Sequence, residues 1–221
     1  MKNFLCKYYS LNFFLFSGFL YYSIISISIG KNPQVRKLND ENYIVISSTG
    51  ITFLDSTLTS EFNTIYFDEP IYTDESSTLS TTINQFSNED GNYIIILFKN
   101  NLCIFSSDGL LITTIENISF INKEKIYSVI PYGHSGNDYY FSIIYIYNGE
   151  ADDLYFIKGI YNSNSNSVTF SEPVIYNNII SNAVQSLSCK LMKYGTENII
   201  NCIYGNSNNL ISSNINPNSN F

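Results

Sequence analysis

The sequence predicts an all-β fold built from about four repeats of short antiparallel strands. Three observations carry that prediction. Apolar runs rich in Val, Ile, Tyr and Phe recur through the chain, each bounded by Gly, Asn, Asp or Ser, which is how strands joined by tight turns read. Beyond the first thirty residues no stretch shows the 3.6-residue apolar spacing of an amphipathic helix, so almost no helix is expected. The runs also come in similar pairs at an interval of about fifty residues, the period of a repeated supersecondary unit.

The chain has 221 residues, 44% hydrophobic and 16% aromatic, enough for one sizeable core. Heavy use of Asn, Ile, Tyr, Ser and Phe reads as a coding bias, which lowers the weight of tracts such as "YNSNSNS". With 11 basic and 19 acidic residues the net charge is -8, and the basic residues form no patch. That balance excludes phosphate-backbone binding, so no nucleic acid is expected as a partner.

Residues 1–30 form their own segment. Lys2 and Lys7 precede the uncharged stretch Leu11 to Ile29, which ends in small residues at Ser26, Ser28 and Gly30. This is the order of a signal peptide, and the stretch is also close to the length that spans a bilayer, so a signal peptide and an uncleaved signal anchor are both expected readings. Either places the remainder, secreted or at the cell surface, outside the cytosol. Any membrane association would run only through this uncleaved segment. Its Cys6 would leave with a cleaved signal.

Residues 31–211 hold the repeat. Tyr43 in "ENYIVISS", Tyr93 in "GNYIIILF", Tyr140 in "NDYYFSIIYIY" and Ile199 in "ENIINCIYG" each open an apolar run. Matching second runs start at Gly50 ("GITFLDS"), Asn101 ("NLCIFSS"), Asp152 ("DDLYFIK") and Asn208 ("NNLISSN"). Further strands fit "NTIYFDEP" and "STLSTTINQF" after the first pair, and "LLITTIENISF" and "KIYSVIPYG" after the second. Residues 212–221, Asn- and Ser-rich, are expected to be a disordered tail.

The piece "YIIILFKNNLCIFSSDG", with its aspartate-glycine turn, resembles a blade of β-propellers in general, and the resemblance extends over roughly residues 40–211. It carries neither the Trp-Asp of WD repeats nor the double glycine of kelch repeats, so no named family follows. The resemblance implies a propeller-like array of about four blades: a minimal propeller, an incomplete one, or one closing with another copy. A β-sandwich is the alternative fold.

The cysteines supply a specific pairing. In "SLSCKLMKYGTENIINCIYG", a hairpin turning at Tyr194-Gly195-Thr196-Glu197 sets Cys189 opposite Cys202 in a non-hydrogen-bonded pair, close enough for a disulfide. Cys103, inside "NLCIF", reads as a buried free thiol. No spacing suits a zinc site.

Candidate chemistry is sparse. His134, Ser135 and Asp138 in "PYGHSGND" bring triad residue types together, but adjacency on one loop does not supply triad geometry, and Gly133 and Gly136 explain the stretch as a turn. Glu89, Asp90, Glu150, Asp152 and Asp153 sit at predicted turns without the ligand spacing of a calcium loop. No phosphate loop, cofactor motif or catalytic residue is identified. Asn117 in "ENISF" is the one glycosylation sequon. Tyr132, Tyr139 and Tyr161 are candidate rim residues for a sugar or peptide, while packing in the core or on a sheet surface is the preferred reading. The function expected is a surface-exposed binding or adhesion module that recognises an extracellular protein or glycan through inter-strand loops. A glycan hydrolase using loop carboxylates is the alternative, and a truncated paralogue without independent function is a third reading.

Overall fold

The computed structural model describes residues 8–16, 19–27, 34–38, 42–46, 50–57, 61–66, 82–86, 93–98, 101–116, 118–120, 125–147, 153–177, 186–205 and 210–218, and among them there is no helix. The chain divides into two compact units, residues 1–78 with 107–110, and residues 79–106 with 111–221.

In the first unit β1 (Tyr8–Phe16) and β2 (Phe19–Ile27) pair antiparallel, Tyr8 with Ile27 through Phe16 with Phe19. Among the described residues no helix is long and apolar enough to cross a membrane. A four-stranded meander follows: β3 (Gln34–Lys37), β4 (Tyr43–Ile46), β5 (Gly50–Leu54) and β6 (Glu61–Tyr66), paired in chain order. Every residue of β5 is buried, because "GITFL" offers an apolar or small residue to both faces of the pleat. The turn Ser107–Leu110 also belongs to this unit. Gly109 has φ 82° and stands so close to the buried Phe53 ring that a Cβ there would lie 2.8 Å from Phe53 Cγ, while Asn63 Nδ2 donates to the Gly109 carbonyl at 2.5 Å. The aspartate-glycine turn is therefore glycine for both conformation and space.

The second unit holds three further sheets. The next meander is β7 (Thr82–Gln85), β8 (Tyr93–Phe98), β9 (Asn101–Ser106) and β10 (Leu111–Ile115). Then come β11 (Lys125–Ser135), β12 (Asp138–Tyr147), β13 (Leu154–Asn162) and β14 (Ser167–Phe170), with β15 (Val174–Asn177) also on β13. The last sheet is β16 (Ser186–Tyr194), β17 (Glu197–Gly205) and β18 (Leu210–Ile215). All neighbours are antiparallel. The paired runs seen in the sequence become β4–β5, β8–β9, β12–β13 and β17–β18, the same adjacent pair in each successive sheet. The fold is all-β and propeller-like, one blade-like meander after another, as the repeat implies.

The sheet β11–β15 is covered on both faces. Tyr139, Phe141, Ile143 and Tyr145 of β12 join Ile95, Leu97, Leu102 and Ile104 of β8 and β9 in one cluster. Ile144 and Ile146 join Ile200, Cys202, Tyr204 and Ile215 in another. Alternate residues of one strand thus enter two cores, which explains why "YYFSIIYIY" is apolar without a break. A two-layer sandwich has one core between its sheets, so three stacked sheets with two cores replace that alternative. Side-chain amides tie the layers: Asn84 Nδ2 donates to the Val129 carbonyl at 3.0 Å, and Asn198 Nδ2 to the Tyr132 carbonyl at 2.6 Å.

The tail expected from residue 212 does not begin there. Residues 212–215 complete β18, with Ser213 and Ile215 buried and Ser212 and Asn214 exposed. The alternation that makes this a strand lies inside a stretch whose Asn and Ser content reads as disorder.

One position in this packing is under-satisfied. Ser142 on β12 is 0% exposed, between Ile130 and Lys158 of the flanking strands, and its hydroxyl has no hydrogen-bond partner among the described residues. Ser142→Ala is therefore expected to stabilise the chain by about 1 kcal/mol, by removing a buried polar group that makes no bond. The measurement is the urea midpoint at unchanged m-value; a lower midpoint would show that the hydroxyl is satisfied in solution.

Candidate functional site

Two hairpin ends meet at one end of the β11–β15 sheet. β11 and β12 turn through Ser135-Gly136-Asn137-Asp138, with φ 56° at Gly136, and β13 and β14 turn through Asn162 to Ser167, with φ 51° at Asn166. The register of β12 with β13 sets Asp138 opposite Asn162. As a result the turns are bonded to each other: Asn162 Nδ2 donates to Asp138 Oδ1 at 2.6 Å, and the Ser163 N–H donates to the Asn137 carbonyl at 2.9 Å.

The second turn is ordered from within. Asn162 Oδ1 accepts from the N–H groups of Asn164 and Ser165 at 3.1 and 2.9 Å, the side chain standing in for a backbone turn acceptor. Ser165 Oγ and Ser167 Oγ lie 2.7 Å apart, and the Tyr161 hydroxyl donates to Asn166 Oδ1 at 3.2 Å. Gly133 through Asn137 are exposed, as are Asn164 through Ser167. The result is a polar platform of amides and hydroxyls whose backbone is held in place before anything binds.

Beneath it lies an aromatic floor. The Tyr93 ring meets Tyr139 and Tyr161 edge-on at centroid distances of 4.8 and 5.2 Å, and Phe86 meets Tyr139 at 5.6 Å. The rim role considered for Tyr132, Tyr139 and Tyr161 does not survive, since they are 9%, 4% and 0% exposed. Strand alternation shows which face a ring is on, but not that a neighbouring sheet covers that face. Burial, and then the nearby tyrosines, push the Tyr161 phenol from its ordinary 10.0 up to about 12; burial and Tyr140 do the same to Tyr132.

His134, Ser135 and Asp138 are brought to the same end but not into a relay. The exposed His134 ring stacks on Tyr139, with centroids 5.7 Å apart and planes 23° from parallel. Asp138 is engaged by Asn162, Ser135 and Asp138 meet as backbone ladder partners, and no side-chain hydrogen bond joins the three residues among the described ones. Asp138 is also the one carboxylate in these two turns. Asp153 precedes β13; Glu89, Asp90, Glu150, Asp152 and the sequon at Asn117 lie outside the described residues. Among the described residues no group of three His, Cys, Asp or Glu side chains could hold a metal ion. The signal for this platform in the sequence is the cross-strand pair Asp138 and Asn162, legible once the β12–β13 register is known.

The cysteines divide as their surroundings require. Tyr194 pairs with Glu197 and Cys189 with Cys202, whose Cα atoms are 4.1 Å apart, and the two sulfurs are bonded as a disulfide. Cys103 is free and buried; burial pushes its thiol from 9.0 up to about 11, with the Thr114 hydroxyl pulling the other way and Glu116 adding to the rise. A raised folded-state value means that the unfolded chain loses its proton first, so the contribution to stability is whole below about pH 9 and is lost as pH climbs toward 11. Tyr132 and Tyr161 add the same trend from 10.0 to about 12. The urea midpoint is expected to fall progressively above pH 9, with Cys103→Ala postponing the onset by about one pH unit. An onset unchanged by that substitution would place the cause elsewhere.

No protein-family model matches the chain, and no curated protein matches it. Among solved structures it is similar to the WD40 domain of SCAP from fission yeast, at 10% identity and a TM-score of 0.49, over 84% of this chain and 44% of that one. It is similar at the same identity and TM-score to the complex structure of the fission yeast SREBP-SCAP binding domains, over 87% of this chain and 50% of that one. The chain thus spans about half the length of the structures it matches.

Proposed function

We propose that this chain is a protein-binding module, carried out of the cytosol by residues 1–30, which engages its partner through the joined ends of β11–β12 and β13–β14. The observation that carries this reading is the bonding of one turn to the other through Asp138–Asn162 and Asn137–Ser163. A surface whose loops are already ordered loses less entropy on association, which is what a recognition surface needs. The protein reading is favoured over the glycan reading because the rings Tyr139 and Tyr161 lie in the core, leaving the exposed His134 ring on a platform otherwise made of amides, hydroxyls, backbone and the Asp138 carboxylate. Hydrolysis by a carboxylate pair finds one carboxylate, Asp138, already held by an amide.

The test is photo-crosslinking from Asn137 and Asn164 in the intact chain displayed to extracellular proteins. A protein captured from both positions, and lost by about tenfold with Asn164→Arg, supports the platform. Capture indifferent to that substitution sinks it, and saturable binding to a glycan array in place of a protein would return the glycan reading. Export is tested separately by the N-terminal residue of the native protein: a start near Lys31 supports it, whereas an intact Met1 on a chain free in the cytosol refutes it.

A further inference from the structure

The edges of the meanders that follow the β1–β2 hairpin are guarded unequally. β3 carries Arg36 and Lys37; β6 begins at Glu61 and is irregular against β5; β10 is irregular against β9; β11 carries Lys125 and Pro131; β16 carries Lys190 and Lys193. β7 and β14 are four residues long. Charge, proline, bulges and brevity are the usual means of keeping a strand edge from pairing with other chains. β18, "LISSNI", has none of them: six residues without charge or proline, in unbroken register with β17. Among the described residues it is also the third and last strand of its sheet, while the meanders β3–β6, β7–β10 and β11–β14 each place a fourth strand beyond the corresponding position.

The backbone groups of β18 that face away from β17 follow from the register. A two-residue turn makes Tyr194 and Glu197 a hydrogen-bonded pair. Alternation then turns the backbone of Cys202 toward Ser213, and leaves the N–H and C=O groups of Leu210, Ser212 and Asn214 pointing outward. Independently, the Tyr176 hydroxyl donates to the Asn214 carbonyl from outside the β17–β18 ladder, as that phase requires. Among the described residues, the outward stretch without such a cap is Leu210 to Ser212. Leu210 is 73% exposed, and Ile203, its diagonal neighbour on the outer face, is 47% exposed.

We infer that the outward edge of β18 at Leu210–Ser212 is a strand-addition site, which takes a short extended segment of another protein bearing an apolar residue beside Leu210 and Ile203. Main-chain pairing supplies the affinity and the apolar pair the preference. A second copy is the less fitting occupant: two chains each of net charge -8 repel, and a stretch this short suits a flexible segment better than a second rigid sheet. This surface is separate from the platform of the two turns, so either reading can fail alone.

The probe is a synthetic capped peptide of residues 110–116, "LLITTIE", which includes a strand holding the fourth position in its own sheet. Titrated into the full-length isotope-labelled chain, it is expected to move the amide signals of Leu210 to Ser212 and to slow hydrogen exchange there. Ser212→Pro removes an outward N–H without breaking the β17 ladder and is expected to weaken binding about tenfold, as is backbone N-methylation of the peptide. Should Ser212→Pro fail to fold, Leu210→Lys tests the same edge. Asn164→Arg should leave peptide binding unchanged. No binding up to millimolar peptide, equal binding by the Ser212→Pro and Leu210→Lys variants, or perturbation confined to other sheets would overturn the inference. So would exchange protection at Leu210–Ser212 that grows with protein concentration alone, which would assign the edge to a second copy.

Discussion

Gly159→Ala is expected to cost about 3 kcal/mol, at the upper end of what overpacking a core incurs. Gly159 lies opposite Phe141 in the β12–β13 ladder, and the buried Phe141 ring covers it so closely that a Cβ would overlap three of the ring's atoms. The ring has nowhere to go: it sits among the residues packed on β8 and β9 and meets Phe86 and Phe170 edge-on at centroid distances of 6.1 and 6.2 Å. Phe141→Ala alone should cost about 4 kcal/mol as a cavity. The double substitution should cost clearly less than the sum, because the methyl group added at position 159 then occupies space the ring has left, and a thermodynamic cycle from urea unfolding measures the difference. Additive losses would mean that ring and glycine do not share that space.

Removing the disulfide by Cys189→Ala with Cys202→Ala, or by reduction, is expected to lower stability by about 3 kcal/mol, the loop-closure value for a cross-link of this span. For a chain of this size that corresponds to a drop in Tm of about 10 °C. Cys202 is 0% exposed in the core shared with β12 and β13, and the disulfide holds β16, the edge strand, to β17. The loss should therefore appear first as faster amide exchange in β16 to β18, with β7 to β10 following only at higher denaturant. A uniform increase across all sheets would contradict that order, and a Tm indifferent to reductant would show that the bond is not formed in solution.

The central strand pairs were legible because their signal is local: an apolar run opened by Tyr or Ile, a polar turn, a second apolar run. The cysteine register was legible for the same reason, since one two-residue turn sets every later pair in the hairpin. What was not legible depended on other sheets. For Tyr139 and Tyr161 packing was the preferred reading over a rim role, but which sheet covers them is seen only once β8 and β9 lie over them. The Ile-Ser-Ser-Asn-Ile alternation of β18 was hidden by composition, since Asn and Ser mark turns and disorder as readily as the outer face of a strand. The polar platform joins residues that the sequence keeps apart and only the β12–β13 register unites.

The two-sided burial of the β11–β15 sheet has a consequence for how the second unit comes apart. Each meander is made of hairpins between neighbours in sequence, so each can assemble with little loop-closure entropy, and coupling between layers passes only through the faces they share. The middle sheet then behaves as the linking term of a one-dimensional chain. A perturbation in β16–β18 reaches β7–β10 through the middle sheet, whose β11, β12 and β13 each contribute residues to both cores, and cooperativity between the outer layers should weaken when Phe141 and Ile144, on opposite faces of β12, are both truncated.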